Sequence, residues 1–175
     1  SGPRANPWYQ ECSSRPIQSG ELMGFDTDLV GSYGYCTDMS RTWLCGDIKP
    51  TNEQKEIYTM GYNQIQANME SLQPGLTFKK LTLNAMEYPK NDFRHYSVHY
   101  HGVGLCDEFP AIPFSCELNE NSFDGILKPG MVMCVETYVG RYSGGPGVKL
   151  EEQVLITNNG YELLTSYPFE SDLLL

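Results

Sequence analysis

The sequence has few positive charges and few of the features that mark membrane, secreted or nucleic-acid-binding proteins. Its 175 residues include 12 lysines and arginines against 22 aspartates and glutamates, which gives a formal net charge of −10. Because nucleic-acid-binding domains are normally basic, this balance argues against a nucleic-acid partner. No apolar run approaches the ~18 residues of a membrane-spanning helix, and Ser1 opens no secretory signal, so we expect no membrane partner.

Cysteine is present, but without the spacing of a zinc ribbon or a disulfide-stapled scaffold. None of the six cysteines stands in a Cys-x-x-Cys pair; they are Cys12, Cys36, Cys45, Cys106, Cys116 and Cys134. We therefore expect reduced, mostly buried thiols in a cytoplasmic protein. Apolar residues make up 40% of the chain and are spread along it, which predicts one globular domain.

The order of local patterns predicts an α+β fold. Glycine-containing turn residues separate two strands, Leu22–Val30 and Tyr35–Trp43, which favours an antiparallel hairpin. Two helices are expected next, over Asn52–Leu72 and from Thr77 to about Met86. Later strands are expected around Tyr96–Gly102, Met131–Tyr138, Gly147–Thr157 and Glu162–Thr165. This arrangement is typical of a mostly antiparallel sheet with covering helices.

Five acidic residues stand in strand-like segments among apolar neighbours. Asp26 and Asp28 alternate along the first strand, so both side chains should face the same side, and Asp38 lies on the hairpin partner. Glu136 and Glu151 lie within apolar strands. An isolated buried carboxylate costs several kcal/mol or becomes protonated, and shared cations remove that cost. Taken singly, each acid could still be an ordinary salt-bridged or edge-exposed carboxylate.

Four phrases, in order along the chain, resemble those of the pita-bread metallopeptidase superfamily. They are Gly34–Thr42 (GYCTDMSRT), His101–Leu105 (HGVGL), Pro129–Glu136 (PGMVMCVE) and Gly147–Glu152 (GVKLEE). The resemblance covers nearly the whole chain. It implies a pita-bread fold with a curved, mostly antiparallel sheet and a centre for two divalent metal ions. The implied metal ligands are Asp26, Asp28, Asp38, His101, Glu136 and Glu151.

The same resemblance implies how the chain is organised. Residues 1–175 correspond to the C-terminal catalytic domain of this superfamily, without an N-terminal domain and the first strands of the sheet. The opening residues, which lack an initiator methionine, also suggest a fragment of a longer protein. The implied full-length protein is a homodimer.

Three departures from the superfamily's peptidases bear on the chemistry. The peptidases place their first two aspartates eleven positions apart, whereas the Asp-Thr-Asp at 26–28 straddles that spacing from Asp38. They carry a histidine seven positions after the one matching His101, where this chain has Glu108. They also commonly have a histidine after an Asn-Pro pair, where this chain has Trp8. These departures argue against peptide hydrolysis, whereas they leave the implied metal ligands in place.

The combination resembles the metal-dependent dimethylsulfoniopropionate lyases built on the same fold. That resemblance implies a β-elimination giving dimethyl sulfide and acrylate from a small sulfonium substrate, with Asp107 as the general base. It implies Tyr96 as a substrate contact, and Trp8 is a further aromatic that could hold the cationic sulfur. It also suggests iron, although carboxylates with one histidine equally suit manganese, cobalt or zinc.

Two other interpretations remain open. The chain could be a diverged Xaa-Pro-type metallopeptidase or another hydrolase, with Glu108 replacing the absent histidines. It could also be a non-catalytic member that uses the fold as a binding module, although such members typically lose metal ligands. Asp107 could be a solvated loop acid, and Tyr96 could belong to the core.

Overall fold

The strands that carry the first three candidate aspartates form a hairpin of their own. In the computed structural model, which describes residues 1–96 and 98–175, β1 (Leu22–Val30) and β2 (Cys36–Leu44) make a two-stranded antiparallel sheet. A short 3₁₀ turn, Ser32–Gly34, joins them. The register sets Asp28 directly opposite Asp38. Opposed residues of an antiparallel pair face the same side, so the predicted shared face of the aspartates is confirmed.

A second antiparallel sheet supplies the remaining candidate ligands. Its central strands are β6 (Val132–Arg141) and β7 (Gly147–Thr157). The shorter strands are β3 (Phe93–Arg94), β4 (Tyr100–Gly102), β5 (Ala111–Ile112) and β8 (Gly160–Leu163). The order is β5-β4-β6-β7-β8, and β3 also pairs with β6. The register sets Glu136 opposite Glu151, and His101 opposite Cys134.

Helix α1 (Asn52–Glu70) packs on β6 and β7 and closes the hydrophobic core. Its first turn is held by a capping box, in which Thr51 and Gln54 each accept a hydrogen bond from the other's backbone N–H. Ile57 and Ile65, eight positions apart, are fully buried against the sheet. No helix among the described residues is both long and apolar enough to cross a membrane.

The hairpin is joined to the larger sheet by side chains and not by a continuous strand ladder. The Thr42 hydroxyl donates to the Lys149 carbonyl at 2.7 Å and accepts from the Lys149 N–H at 3.1 Å. The Gln153 side-chain oxygen accepts from the Asp38 N–H at 3.1 Å. These bonds hold β2 beside β7, so the aspartates of the hairpin lie next to the glutamates of the larger sheet.

The predicted α+β, mostly antiparallel fold is confirmed, with shifts at several element ends. The strand expected around Tyr96–Gly102 begins only at Tyr100, and Ser97 lies outside the described residues. The second helix, α2 (Phe78–Asn84), is shorter than expected because Ala85 has an extended backbone, with φ −63° and ψ 141°.

The expectation of mostly buried thiols is wrong. All six cysteines are free, but Cys134 alone is buried. Cys12, Cys106 and Cys116 are exposed because they lie in connecting segments and not in the strands that form the core.

Arg41 links three parts of the chain from a buried position. Its side chain is 1% exposed, and Nη2 lies 2.6 Å from Glu152 Oε1 on β7. The same nitrogen donates to the Tyr167 carbonyl at 2.6 Å, and the guanidinium lies 4.3 Å from the centre of the Phe169 ring. Arg41 therefore fixes the C-terminal segment against β2 and β7.

We predict that Arg41→Met lowers the free energy of unfolding by about 3–5 kcal/mol, because it leaves the Glu152 carboxylate buried without its partner. Urea denaturation measures the change. The matched control is Arg141→Met, which removes a surface pair with Glu56 and should cost about 1 kcal/mol or less. Equal losses in the two variants would contradict this account of Arg41.

Candidate metal centre

Four buried side chains converge where β2, β4, β6 and β7 meet. Asp38, His101, Cys134 and Glu151 each place one ligand atom within 4.8 Å of those of the other three. His101 Nε2 lies 3.0 Å from Glu151 Oε1 and 3.5 Å from Asp38 Oδ2. Each side chain projects from a paired strand, so its direction is set by the sheet registers.

A second group of carboxylates adjoins the first. Asp28, Asp38 and Asp107 place one oxygen each within 4.8 Å of the others. Asp38 belongs to both groups, so two neighbouring cation positions would share it. Asp107 comes from the loop after β4, which brings the proposed base beside the hairpin aspartates.

Lys149 was missed by the sequence reasoning and lies among the predicted ligands. Its side chain is 2% exposed, and Nζ lies 2.7 Å from Glu136 Oε2. Nζ is also 3.3 Å from Glu151 Oε2 and 3.3 Å from Asp26 Oδ2. The signal was available, since alternation along β7 puts residues 149 and 151 on the same face. Lys149 therefore neutralises part of the negative charge of the centre.

Ser40 and Cys134 were also missed. The Ser40 hydroxyl contacts a carboxylate oxygen of Asp26 and lies 3.0 Å from Glu151 Oε2. Alternation along β2 from Asp38, and along β6 from Glu136, places both residues on the face of the centre. The five acids and one histidine of the predicted ligand set therefore lie within a larger polar cluster that includes Lys149, Ser40 and Cys134.

The donor atoms fit divalent metal ions. Asp38 Oδ1 and Glu136 Oε1 are buried and have no hydrogen-bond partner among the described residues. A buried unsatisfied oxygen is costly, and more so on a charged group. Lys149 and His101 are too few to balance the five acids of the cluster. Carboxylate oxygens with one imidazole suit iron, manganese, cobalt or zinc.

The pKa values show which carboxylates depend on further positive charge. Burial, reinforced by the Glu151 and Asp26 carboxylates, raises the pKa of Asp38 to about 9. Burial likewise raises the pKa of Glu136 to about 7 despite the nearby Lys149. Burial also acts to raise the pKa of Glu151, but Lys149 and His101 outweigh it and lower this pKa to about 2. Asp38 and Glu136 are therefore the carboxylates that additional cations would stabilise most.

The predicted substrate contacts lie at the edge of this centre. The ring centroids of Trp8 and Tyr96 are 6.5 Å apart, and the Tyr96 centroid lies 5.7 Å from Lys149 Nζ. Trp8 lines a cavity of about 490 Å³ together with Asp26 and Asp28. Glu108, the candidate replacement for a peptidase histidine, is exposed and has a left-handed backbone with φ 54°.

Residues 1–158 match the sequence pattern of metallopeptidase family M24. The chain belongs to this family. The pita-bread architecture is confirmed by the structure of prolidase from Pyrococcus horikoshii OT3, which superposes with a TM-score of 0.78 at 28% sequence identity. That likeness covers 97% of this chain and 47% of the prolidase chain.

Two curated relatives point to different activities. Dimethylsulfoniopropionate lyase DddP of Roseovarius nubinhibens is 46% identical over 175 residues, covering 99% of this chain and 39% of the lyase. The uncharacterized peptidase YqhT of Bacillus subtilis is 32% identical over 173 residues, covering 97% of this chain and 46% of that protein. The chain thus spans less than half the length of either relative.

We predict that Lys149→Met destabilises the metal-free protein by about 3–5 kcal/mol, because three carboxylates lose their shared ammonium. Chemical denaturation after chelation measures the loss, and added divalent metal should recover part of it by binding the folded state. Lys79→Met is the control, since Lys79 is exposed on α2. A Lys149→Met protein as stable as the parent would contradict this account of the cluster.

Proposed function

We propose that residues 1–175 are the C-terminal catalytic domain of a dimethylsulfoniopropionate lyase. The observation that carries the proposal is the position of Asp107, whose carboxylate lies beside Asp28 and Asp38. The 46% identity to DddP over nearly the whole chain supports it. The same proposal includes a cytoplasmic location and a homodimer of the full-length protein.

The proposed metal site uses six side chains and two divalent ions, with iron as the metal favoured by the likeness to the lyase. The residues that would hold the ions are Asp26, Asp28, Asp38, His101, Glu136 and Glu151, and the membership of Asp38 in both donor groups supports this assignment. Bound metal ions would act as Lewis acids that orient the substrate carboxylate and stabilise negative charge on it. Lys149 and Ser40 would hold the Asp26 and Glu151 carboxylates in place.

Asp107 is assigned as the general base. It would take the proton on the carbon next to the substrate carboxylate, and the electrons of that C–H bond would form the new carbon–carbon double bond. The bond between the β-carbon and sulfur breaks, and the sulfur leaves with its electron pair as dimethyl sulfide. A sulfonium is already a good leaving group, so no acid is needed to protonate it. Acrylate is the second product.

Trp8 and Tyr96 are assigned to the cationic end of the substrate. A cation over an aromatic face is stabilised by ~0.5–2 kcal/mol. Since the Tyr96 ring already lies 5.7 Å from the Lys149 ammonium, we assign the closer sulfonium contact to Trp8. The substrate would then extend from Trp8 across the cavity towards the face of β1 that carries Asp26 and Asp28, which we call the metal face.

A second candidate function is an Xaa-Pro-type metallopeptidase. The likeness to the prolidase structure favours it, as does the identity to YqhT. It requires a group that handles the scissile amide. The candidate from the sequence, Glu108, is exposed, and it contacts the centre through its backbone N–H, which donates to Asp107 Oδ1 at 3.1 Å. A non-catalytic binding module is less well supported, because every proposed ligand position keeps a residue that can bind metal.

We predict that the full-length protein, loaded with Fe²⁺, releases dimethyl sulfide from dimethylsulfoniopropionate, measured by headspace gas chromatography. Asp107→Asn should lower kcat by about 10²–10⁴-fold, the usual contribution of a general base, with folding unchanged and the rate expressed per bound metal ion. Glu108→Gln, which alters the neighbouring loop acid, should stay close to the parent rate. Release of an N-terminal residue from Xaa-Pro peptides without any dimethyl sulfide would instead assign the chain to the peptidases.

A further inference from the structure

We infer that Gly24 is a specificity-determining residue, because its missing side chain seats the Trp8 indole against β1 beside the metal face. The inference rests on the proposed function and deepens it. It names the feature that selects a small zwitterion with an onium group at one end and a carboxylate at the other.

Gly24 lies on β1 opposite Thr42, two positions before Asp26. Alternation along the strand puts Gly24 on the same face as Asp26 and Asp28. A Cβ at position 24 would lie 2.5 Å from Trp8 Cζ3 and 2.8 Å from Trp8 Cη2. Both atoms belong to a rigid ring, so even a methyl group would displace the whole indole. Glycine in a regular strand interior often marks such a close approach.

The rest of the surroundings leaves the indole little freedom. The Tyr138 ring centroid is 6.2 Å from that of Trp8, and the Tyr138 hydroxyl donates to the Ala5 carbonyl at 2.8 Å. Asn6, two residues before Trp8, donates from Nδ2 to the Arg141 carbonyl at 3.0 Å. The chain leading into Trp8 is therefore fixed on β6, and a methyl at position 24 would displace the ring from its present position against β1.

This placement sets an aromatic face next to the carboxylates of the candidate metal centre. The cavity that Trp8 lines is also lined by Gly24, Asp26 and Asp28. An onium group over the indole can gain a cation–π contact while a carboxylate a few atoms away reaches the metal face. A neutral thioether of the same length keeps the carboxylate but loses that attraction. Gly24 thus acts through Trp8 on the choice between charged and neutral ligands.

The test compares dimethylsulfoniopropionate with its neutral counterpart, 3-(methylthio)propionate, by calorimetric titration of the metal-loaded full-length protein. The Asp107→Asn background prevents turnover during the titration. This parent should prefer the sulfonium by about 2- to 30-fold, the range that a cation–π contact contributes. Gly24→Ala should bring the ratio close to one with the bound metal unchanged, as should Trp8→Leu.

Combining the two substitutions identifies the route of the effect. If Gly24 acts through Trp8, the double variant should match Trp8→Leu alone. ¹⁹F NMR of the protein labelled with 7-fluorotryptophan, which carries fluorine on Cζ2 and not on the Cζ3 and Cη2 atoms that face Gly24, should show the Trp8 resonance shifted by Gly24→Ala. That resonance is identified by its loss in Trp8→Leu. Gly104→Ala is the control, since a Cβ there meets nothing within 4 Å.

An unmoved Trp8 resonance, a retained preference in Gly24→Ala, or effects that multiply in the double variant would each overturn the inference. The proposed function fails separately. If the protein makes no dimethyl sulfide but Gly24→Ala abolishes its onium preference, the lyase proposal fails. Gly24 then still determines onium binding. If the protein makes dimethyl sulfide but Gly24→Ala keeps the onium preference, the lyase proposal stands and the role of Gly24 is excluded.

Discussion

The negative charge buried between the two sheets is the constraint on which the rest of the structure depends. Asp38, Glu136 and Glu151 are buried around a single imidazole, and two of their oxygens have no partner among the described residues. Lys149 supplies one fixed positive charge from inside the cluster. The remaining imbalance favours divalent cations, because buried charges persist only when they are paired or coordinate metal ions.

The packing of the hairpin on the larger sheet brings these acids together. No single strand could present all of them, so the hairpin face with its aspartates is set against the β6–β7 face with its glutamates. Thr42 and Gln153 join β2 to β7 through side-chain hydrogen bonds, and the buried ion pair between Arg41 and Glu152 links the same two strands. The same frame serves the M24 peptidases, so the fold alone does not distinguish hydrolysis from elimination. That distinction rests on what surrounds the metals, namely Trp8, Asp107 and the exposed Glu108.

Much of this could be predicted from the sequence, because the strands are regular and alternation fixes the direction of each side chain. The facing of Asp26 and Asp28 follows from their spacing, and four ordered phrases were specific enough to indicate the family. The buried position of Lys149 could not be predicted, because a lysine two residues from Glu151 is usually solvated and only the packing of β2 on β7 buries it. The contact between Gly24 and Trp8 joins segments that no local pattern relates. The exposure of the loop cysteines could not be predicted either, because tertiary packing and not residue type decides it.

We propose that the cluster around Asp38 binds two divalent metal ions, one at each of the two donor groups to which Asp38 belongs. X-ray diffraction from crystals of the iron-loaded full-length protein, with data on both sides of the iron absorption edge, would locate these ions. We expect two anomalous peaks per chain, both in contact with the Asp38 carboxylate and enclosed by His101, Glu136 and Glu151. A single peak away from Asp38, or none in this cluster, would contradict it.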